Sequence, residues 1–203
     1  MSDLVVGFDL DMTLIDSRPG IRAVYEALVE ESGHAIDVEL VVSRLGPPVE
    51  RELAHWVPAE QVQELADRYR ALYPASAVVR VQAWPGAVEA LDAVHARGGR
   101  TVLITAKAAA SAQLHVDALG LPIDEVRGFA WREGKADALR ETGAAVYVGD
   151  HEHDMDAARL AGVPGIGVTT GPSSAGELLA AGASIVLPSV ADVPGALDEL
   201  LTP

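Results

Sequence analysis

Three short apolar runs, each stopped by an oxygen-bearing side chain, constrain this fold more than any other feature. They are Val5-Val6-Gly7-Phe8 before Asp9, Val102-Leu103-Ile104 before Thr105, and Val146-Tyr147-Val148-Gly149 before Asp150. Such short apolar runs without alternation fit strands buried on both faces. The stretches between them carry helical spacing, so strand and helix alternate. That order predicts an α/β fold, a Rossmann-like parallel sheet with helices on both faces. Right-handed crossovers then bring the strand ends to one edge of the sheet, where such folds build their sites.

The exception lies early. From Ser17 to about Ala75 every apolar pattern is helical and no strand is evident. Ser17 is positioned to cap a helix with Pro19 in its first turn, and Ile21, Val24, Tyr25, Leu28 and Val29 fall on one face before Gly33. Gly46-Pro47-Pro48 interrupts the helices that follow. Trp84-Pro85-Gly86 marks the return to strand and helix alternation. The chain therefore divides into residues 1–16 with 82–203, an α/β core, and residues 17–81, a small all-helical insertion. Further on, the patterns predict a helix over Ala109–Leu119 and a strand over Val126–Trp131. They also predict a helix opened by Lys135, another opened by Asp154, and a last helix over Val193–Leu201.

With 203 residues and 49% hydrophobic content, the chain can bury a sizeable core. It has no cysteine, which excludes disulfides, thiolate metal sites and a thiol nucleophile. Its formal net charge of −15 opposes binding to nucleic acid or anionic membranes. No apolar run approaches spanning length and no basic-then-apolar leader precedes the first strand, so a cytoplasmic location is expected.

Asp9 and Asp11 stand one residue apart at the end of the first run. They are followed by Thr105, by Lys135 at a helix start, and by Gly149-Asp150 with Asp154 four residues later. Each piece alone is common. A strand end explains Thr105, a solvated surface explains a lysine, and the helix dipole explains Asp154. As an ordered set they resemble the haloacid dehalogenase-like superfamily, and within it phosphatases of the phosphoglycolate phosphatase type. The resemblance implies a core sheet with the first strand central and a helical cap formed by the insertion. It implies that Asp9 is a nucleophile forming an aspartyl-phosphate and that Asp11 is a general acid, then base. Thr105 would bind the phosphoryl group and Lys135 would pair with it and with Asp9. A magnesium ion would be held by Asp9, the main-chain carbonyl of Asp11, Asp150 and, directly or through water, Asp154. The partner would be a small phosphorylated metabolite, with Thr13, Ala106, Lys107, Arg44 and Arg51 as candidate contacts.

Several positions depart from the family pattern. Met12 stands where glycine is usual, Ala106 where asparagine or glycine is usual, and His151 where serine is frequent. His151 and His153 flank Glu152, but no third histidine at ligand spacing points to zinc. Arg44 and Arg51, either side of Gly46-Pro47-Pro48, can hold a distal anion or pair with Glu50 and Glu52. The motifs leave open a sugar-phosphate mutase of the same fold and a binding protein without turnover. Asp11 counts against a dehalogenase. A receiver-like switch is disfavoured because its phosphoacceptor strand is a middle one, and here that run ends in Thr105.

Overall fold

The computed structural model describes residues 4–201. A six-stranded, all-parallel sheet forms its centre. Its principal strands are β1 (Val5–Phe8), β4 (Arg100–Ile104), β5 (Glu125–Arg127), β6 (Val146–Gly149), β7 (Gly165–Val168) and β8 (Ile185–Leu187). The order across the sheet is β5-β4-β1-β6-β7-β8. β1 is therefore central, with β4 on one side and β6 on the other, as the resemblance implies. The chain order reverses there, so the carboxyl ends of β1, β4 and β6 open a crevice. Asp9, Thr105 and Asp150 are the residues that follow those three ends.

Side chains alternate across the strands with period two. Val6, Phe8, Leu103, Val146 and Val148 enter one core with α5 (Ala87–Ala96), α6 (Ala109–Leu119) and α10 (Val193–Leu201). Val5, Val102, Ile104 and Tyr147 enter the opposite core with α7 (Glu133–Thr142) and α8 (Glu152–Ala161). Helices thus cover both faces. Among the described residues no helix is long and apolar enough to cross a membrane.

Between β1 and α5 the chain builds α1 (Arg18–Ser32), α2 (Val38–Ser43), α3 (Val49–Leu53) and α4 (Ala59–Ser76). Their apolar faces close on one another around Tyr25, Leu28, Leu53, Leu65, Tyr69 and Tyr73, a hydrophobic cluster separate from the two beside the sheet. The chain enters and leaves this layer through β2 (Ile15–Asp16) and β3 (Gln82–Ala83), which pair antiparallel. That ribbon is absent from the sequence reading, because two residues per strand leave no periodicity to detect.

Two other expectations change. Ser17 occupies the N-cap position of α1, but its hydroxyl makes no capping bond and is buried without a partner. Strand β5 ends at Arg127 rather than near Trp131. Phe129 and Arg132 adopt positive φ, and only Val126 and Arg127 of the expected strand lie in the sheet. The backbone of the rest folds back to hold the β4–α6 loop, with Phe129 N–H on Lys107 carbonyl at 2.9 Å and Ala130 N–H on Thr105 carbonyl at 2.9 Å.

Candidate active site

Asp9 continues β1 beyond its last pair, with its N–H donating to Val148 carbonyl at 2.9 Å. One carboxylate oxygen accepts from Lys135 Nζ at 2.8 Å, and the same ammonium donates to Asp154 Oδ1 at 2.6 Å. Lys135 lies in the first turn of α7 and is 3% exposed, so the solvated-surface explanation does not hold for it. Burial opposes its charge, yet Asp154 and Asp9 beside it hold its ammonium well above the usual lysine range.

Asp154 occupies the third position of α8 and closes a capping box. His151 N–H donates to its Oδ2 at 3.1 Å, while the Tyr147 hydroxyl lies 3.3 Å from its Oδ1 and gives its one proton to the Ile104 carbonyl at 2.9 Å. Both of its oxygens thus already serve protein donors. Asp150 accepts from the Thr13 hydroxyl at 2.7 Å. Thr13 is wholly buried, and this bond makes it a support for Asp150. Thr13→Val keeps the shape and deletes that bond. It should lower stability by about 1–3 kcal/mol, measured by urea unfolding.

Asp9, Asp150 and Asp154 offer carboxylate oxygens that all lie within 4.8 Å of one another, and all three are buried. Burial pushes Asp9 up to about 7, against the pull of Lys135 and with help from Asp154 and Asp11. Burial, then Asp154 and Asp9, push Asp150 well above the usual carboxylate range. Three ionised carboxylates against one ammonium would leave two negative charges in this space. A hard divalent cation with oxygen ligands fits that charge and donor set.

Two glycines allow this crowding: Gly149, which belongs to the motif, and Gly171, which the motif reading did not single out. An ideal Cβ on Gly171 would lie 1.7 Å from Asp150 Oδ2, and one on Gly149 would lie 2.4 Å from Asp154 Cβ. Nothing in the sequence marks Gly171, because the β7–α9 loop reaches Asp150 only in three dimensions (α9 is Ala175–Ala180). Its neighbour Thr170 donates to Met12 carbonyl at 2.5 Å. Met12 itself has φ 64°, the left-handed conformation for which glycine is the ordinary choice, and its side chain is buried. A non-glycine residue there costs roughly 1–2 kcal/mol.

Asp11 lies 3.1 Å from Lys107 Nζ. Thr105, 1% exposed, accepts from Lys107 N–H at 3.2 Å. Asp9, Asp11, Thr105, Ala106 and Lys107 form the sheet side of one cavity. Its other side is the helical layer, including Tyr25, Tyr69, Tyr73, Arg44 and Gly46-Pro47-Pro48. Arg44 is bound to Glu52 at 2.7 and 3.1 Å. Arg51, the other candidate arginine, is exposed on α3 and outside the lining. Arg70, which the sequence reading passed over, lines the cavity and pairs with Glu50.

His151 Nδ1 accepts from His153 N–H at 3.2 Å, and the two rings stand 4.7 Å apart beside Trp131. Glu152 brings a third ligand-type group within 4.8 Å, which counting histidines alone did not reveal.

The sheet order and the carboxylate cluster set what the chain can be compared with. A family model described as haloacid dehalogenase-like hydrolase matches residues 6–168. The chain belongs to the haloacid dehalogenase-like hydrolase family. Relatives of that family include IndB of Dickeya dadantii, named a probable phosphatase, 30% identical over 99% of this chain and 96% of the relative. A phosphoglycolate phosphatase of Caulobacter vibrioides is 32% identical over 100% of this chain and 94% of its own length. The fold recurs in a haloacid dehalogenase-like hydrolase from Streptococcus pneumoniae, with TM-score 0.82, 24% identity, and 97% and 99% of the two chains covered.

Proposed function

We propose that this haloacid dehalogenase-like protein is a magnesium-dependent phosphatase acting on a small phosphate monoester through an aspartyl-phosphate on Asp9. The observation that carries the reading is the Asp9 carboxylate, held by Lys135 at 2.8 Å in a crevice that also presents Thr105 and Asp150. Relatives named as phosphatases agree with it.

A phosphate dianion repels nucleophiles, so the site must place one and offset charge. Lys135 fixes one Asp9 oxygen and leaves the other to attack phosphorus. The P–O bond to the leaving group breaks as the bond to Asp9 forms, and the Thr105 hydroxyl donates to a phosphoryl oxygen. Asp11 gives its proton to the leaving oxygen, then takes one from the water that attacks the aspartyl-phosphate. Magnesium, held by Asp9, Asp150 and the Asp11 carbonyl, would neutralise charge on the phosphoryl group. Asp154, which holds both Lys135 and the His151 N–H, orients this set.

The division into a core of residues 1–16 and 82–203 and a cap of 17–81 places its boundaries on the β2–β3 ribbon. A layer attached by one ribbon can open for exchange and close to exclude water during transfer. Phosphate release from a panel of monoesters tests the whole reading. Turnover should require magnesium, stop with a chelator and return when magnesium is added. Full turnover after exhaustive chelation, or no release from any ester, would end it.

A further inference from the structure

The structure carries a buried polar chain that the proposed chemistry does not use. Lys107 Nζ donates to Tyr73 hydroxyl at 2.7 Å, and that hydroxyl meets His115 Nε2 at 2.8 Å. The other face of the same ammonium is 3.1 Å from Asp11. Tyr73 is 1% exposed and His115 is fully buried. Three elements contribute: α4 supplies Tyr73, α6 supplies His115, and the β4–α6 loop supplies Lys107.

The chain has one direction. An ammonium only donates, so Tyr73 oxygen must accept from Lys107. The hydroxyl proton is then free to go only toward His115, whose Nε2 accepts. That places the imidazole's own proton on Nδ1, which is buried and has no partner among the described residues. A charged imidazole would have no acceptor to offer Tyr73. Burial, followed by the charge of Lys107, accordingly lowers His115 to about 4. The Lys107 ammonium also lies 4.5 Å from the Tyr73 ring centre. Such an arrangement removes the rotational freedom that a lysine at a loop usually keeps.

We propose that Tyr73 and His115 are positioning residues for proton transfer at Asp11: they fix the Lys107 ammonium beside that carboxyl, so that the helical layer takes part in the chemical step as well as in substrate selection. The proposal rests on the reading of Asp11 as the proton donor. As Asp11 releases its proton to the leaving oxygen, negative charge appears on its carboxylate. A cation already fixed at 3.1 Å stabilises that charge without reorganising. Because Tyr73 belongs to α4, the ammonium is held in this way only while the helical layer lies against the sheet edge.

The test uses leaving groups. An alkyl phosphate needs the proton from Asp11, whereas p-nitrophenyl phosphate releases a stable phenolate and depends on it less. kcat/KM reports the steps through transfer to Asp9. In Tyr73→Phe the ratio of kcat/KM on the best alkyl ester of the panel to that on p-nitrophenyl phosphate should fall about tenfold, the scale of one lost charge-assisted hydrogen bond. His115→Leu should move the ratio the same way. His115→Gln, which places an amide oxygen near the former Nε2, should restore most of it. Thermal melting shows which variants are folded, and the two His115 variants carry the test if Tyr73→Phe is not. A ratio unchanged in the folded variants, or an equal loss on both esters, overturns the proposal. A wild-type protein inert to both esters would bring down the phosphatase reading and this proposal together. An active wild type with an unmoved ratio brings down the proposal alone.

Discussion

Asp9→Asn should abolish phosphate release, by roughly 10⁴-fold or more on the scale of a removed nucleophile, while the protein still folds. The amide keeps the shape of the carboxylate at the end of β1 and can still accept from Lys135 at the oxygen that now sits 2.8 Å away. What it lacks is the charge on the attacking oxygen. Stability should move the other way. Burial raises Asp9 to about 7, so the folded protein binds a proton there that the unfolded chain, titrating near 4, has already released. Between those two values the folded state holds more protons, and the metal-free protein loses stability as pH rises through that window. Asp9→Asn removes that part of the slope. In chelator its melting temperature should fall less than that of wild type between pH 4 and pH 8, and at pH 8 it should match or exceed wild type. Retention of appreciable turnover would refute covalent catalysis at Asp9. An unchanged pH slope would refute the account of its burial.

Lys135→Met should be the most destabilising of the substitutions considered. Methionine nearly matches the length of the lysine stem, so little volume is lost. The charge is another matter: Asp9 at 2.8 Å and Asp154 at 2.6 Å share this one ammonium. Breaking a buried ion pair by removing one partner costs about 3–5 kcal/mol. For a chain of this size that corresponds to a drop in melting temperature of roughly 6–20 °C. Two controls follow from electrostatics. Acidification protonates the stranded carboxylates, so the difference from wild type should shrink toward pH 5. Magnesium returns positive charge to Asp9 and Asp150, so it should restore part of the stability but not turnover, because the Asp9 oxygen is no longer fixed. A variant that melts with wild type in chelator at pH 8 would show that the cluster does not bear this charge.

The cavity offers a substrate anion fewer free cations than the arginine content of its helical side implies. Arg44 is held by Glu52, Arg70 by Glu50 and Lys107 by Asp11, so each cation in the lining already faces a carboxylate. A substrate anion would have to displace one of these partners, beside a wall formed by Tyr25, Tyr69 and Tyr73.

What the sequence determined by itself was the frame. Val5 to Phe8, Val102 to Ile104 and Val146 to Gly149 were legible as strands because a buried parallel strand leaves a continuous apolar signature. The residues that follow them were legible as a site because chain reversal at β1 gathers those strand ends whatever the loops do. Helices α6 and α10 were likewise visible from spacing and stop signals. Only the tertiary structure decided which polar side chains meet. Lys135 is buried because the carboxylates of Asp9 and Asp154, 126 and 19 residues away, enclose it. Thr13 serves Asp150, Gly171 yields its side-chain space to the same carboxylate, and Arg51 turns outward where Arg70 turns in. The Lys107–Tyr73–His115 chain joins positions 34 and 42 residues apart that share no motif. Local pattern encodes which faces are apolar, since that follows from the period of the backbone. Contacts between polar groups far apart in the chain depend on how packed elements set a few side chains within 3 Å of one another, and no local period records that distance.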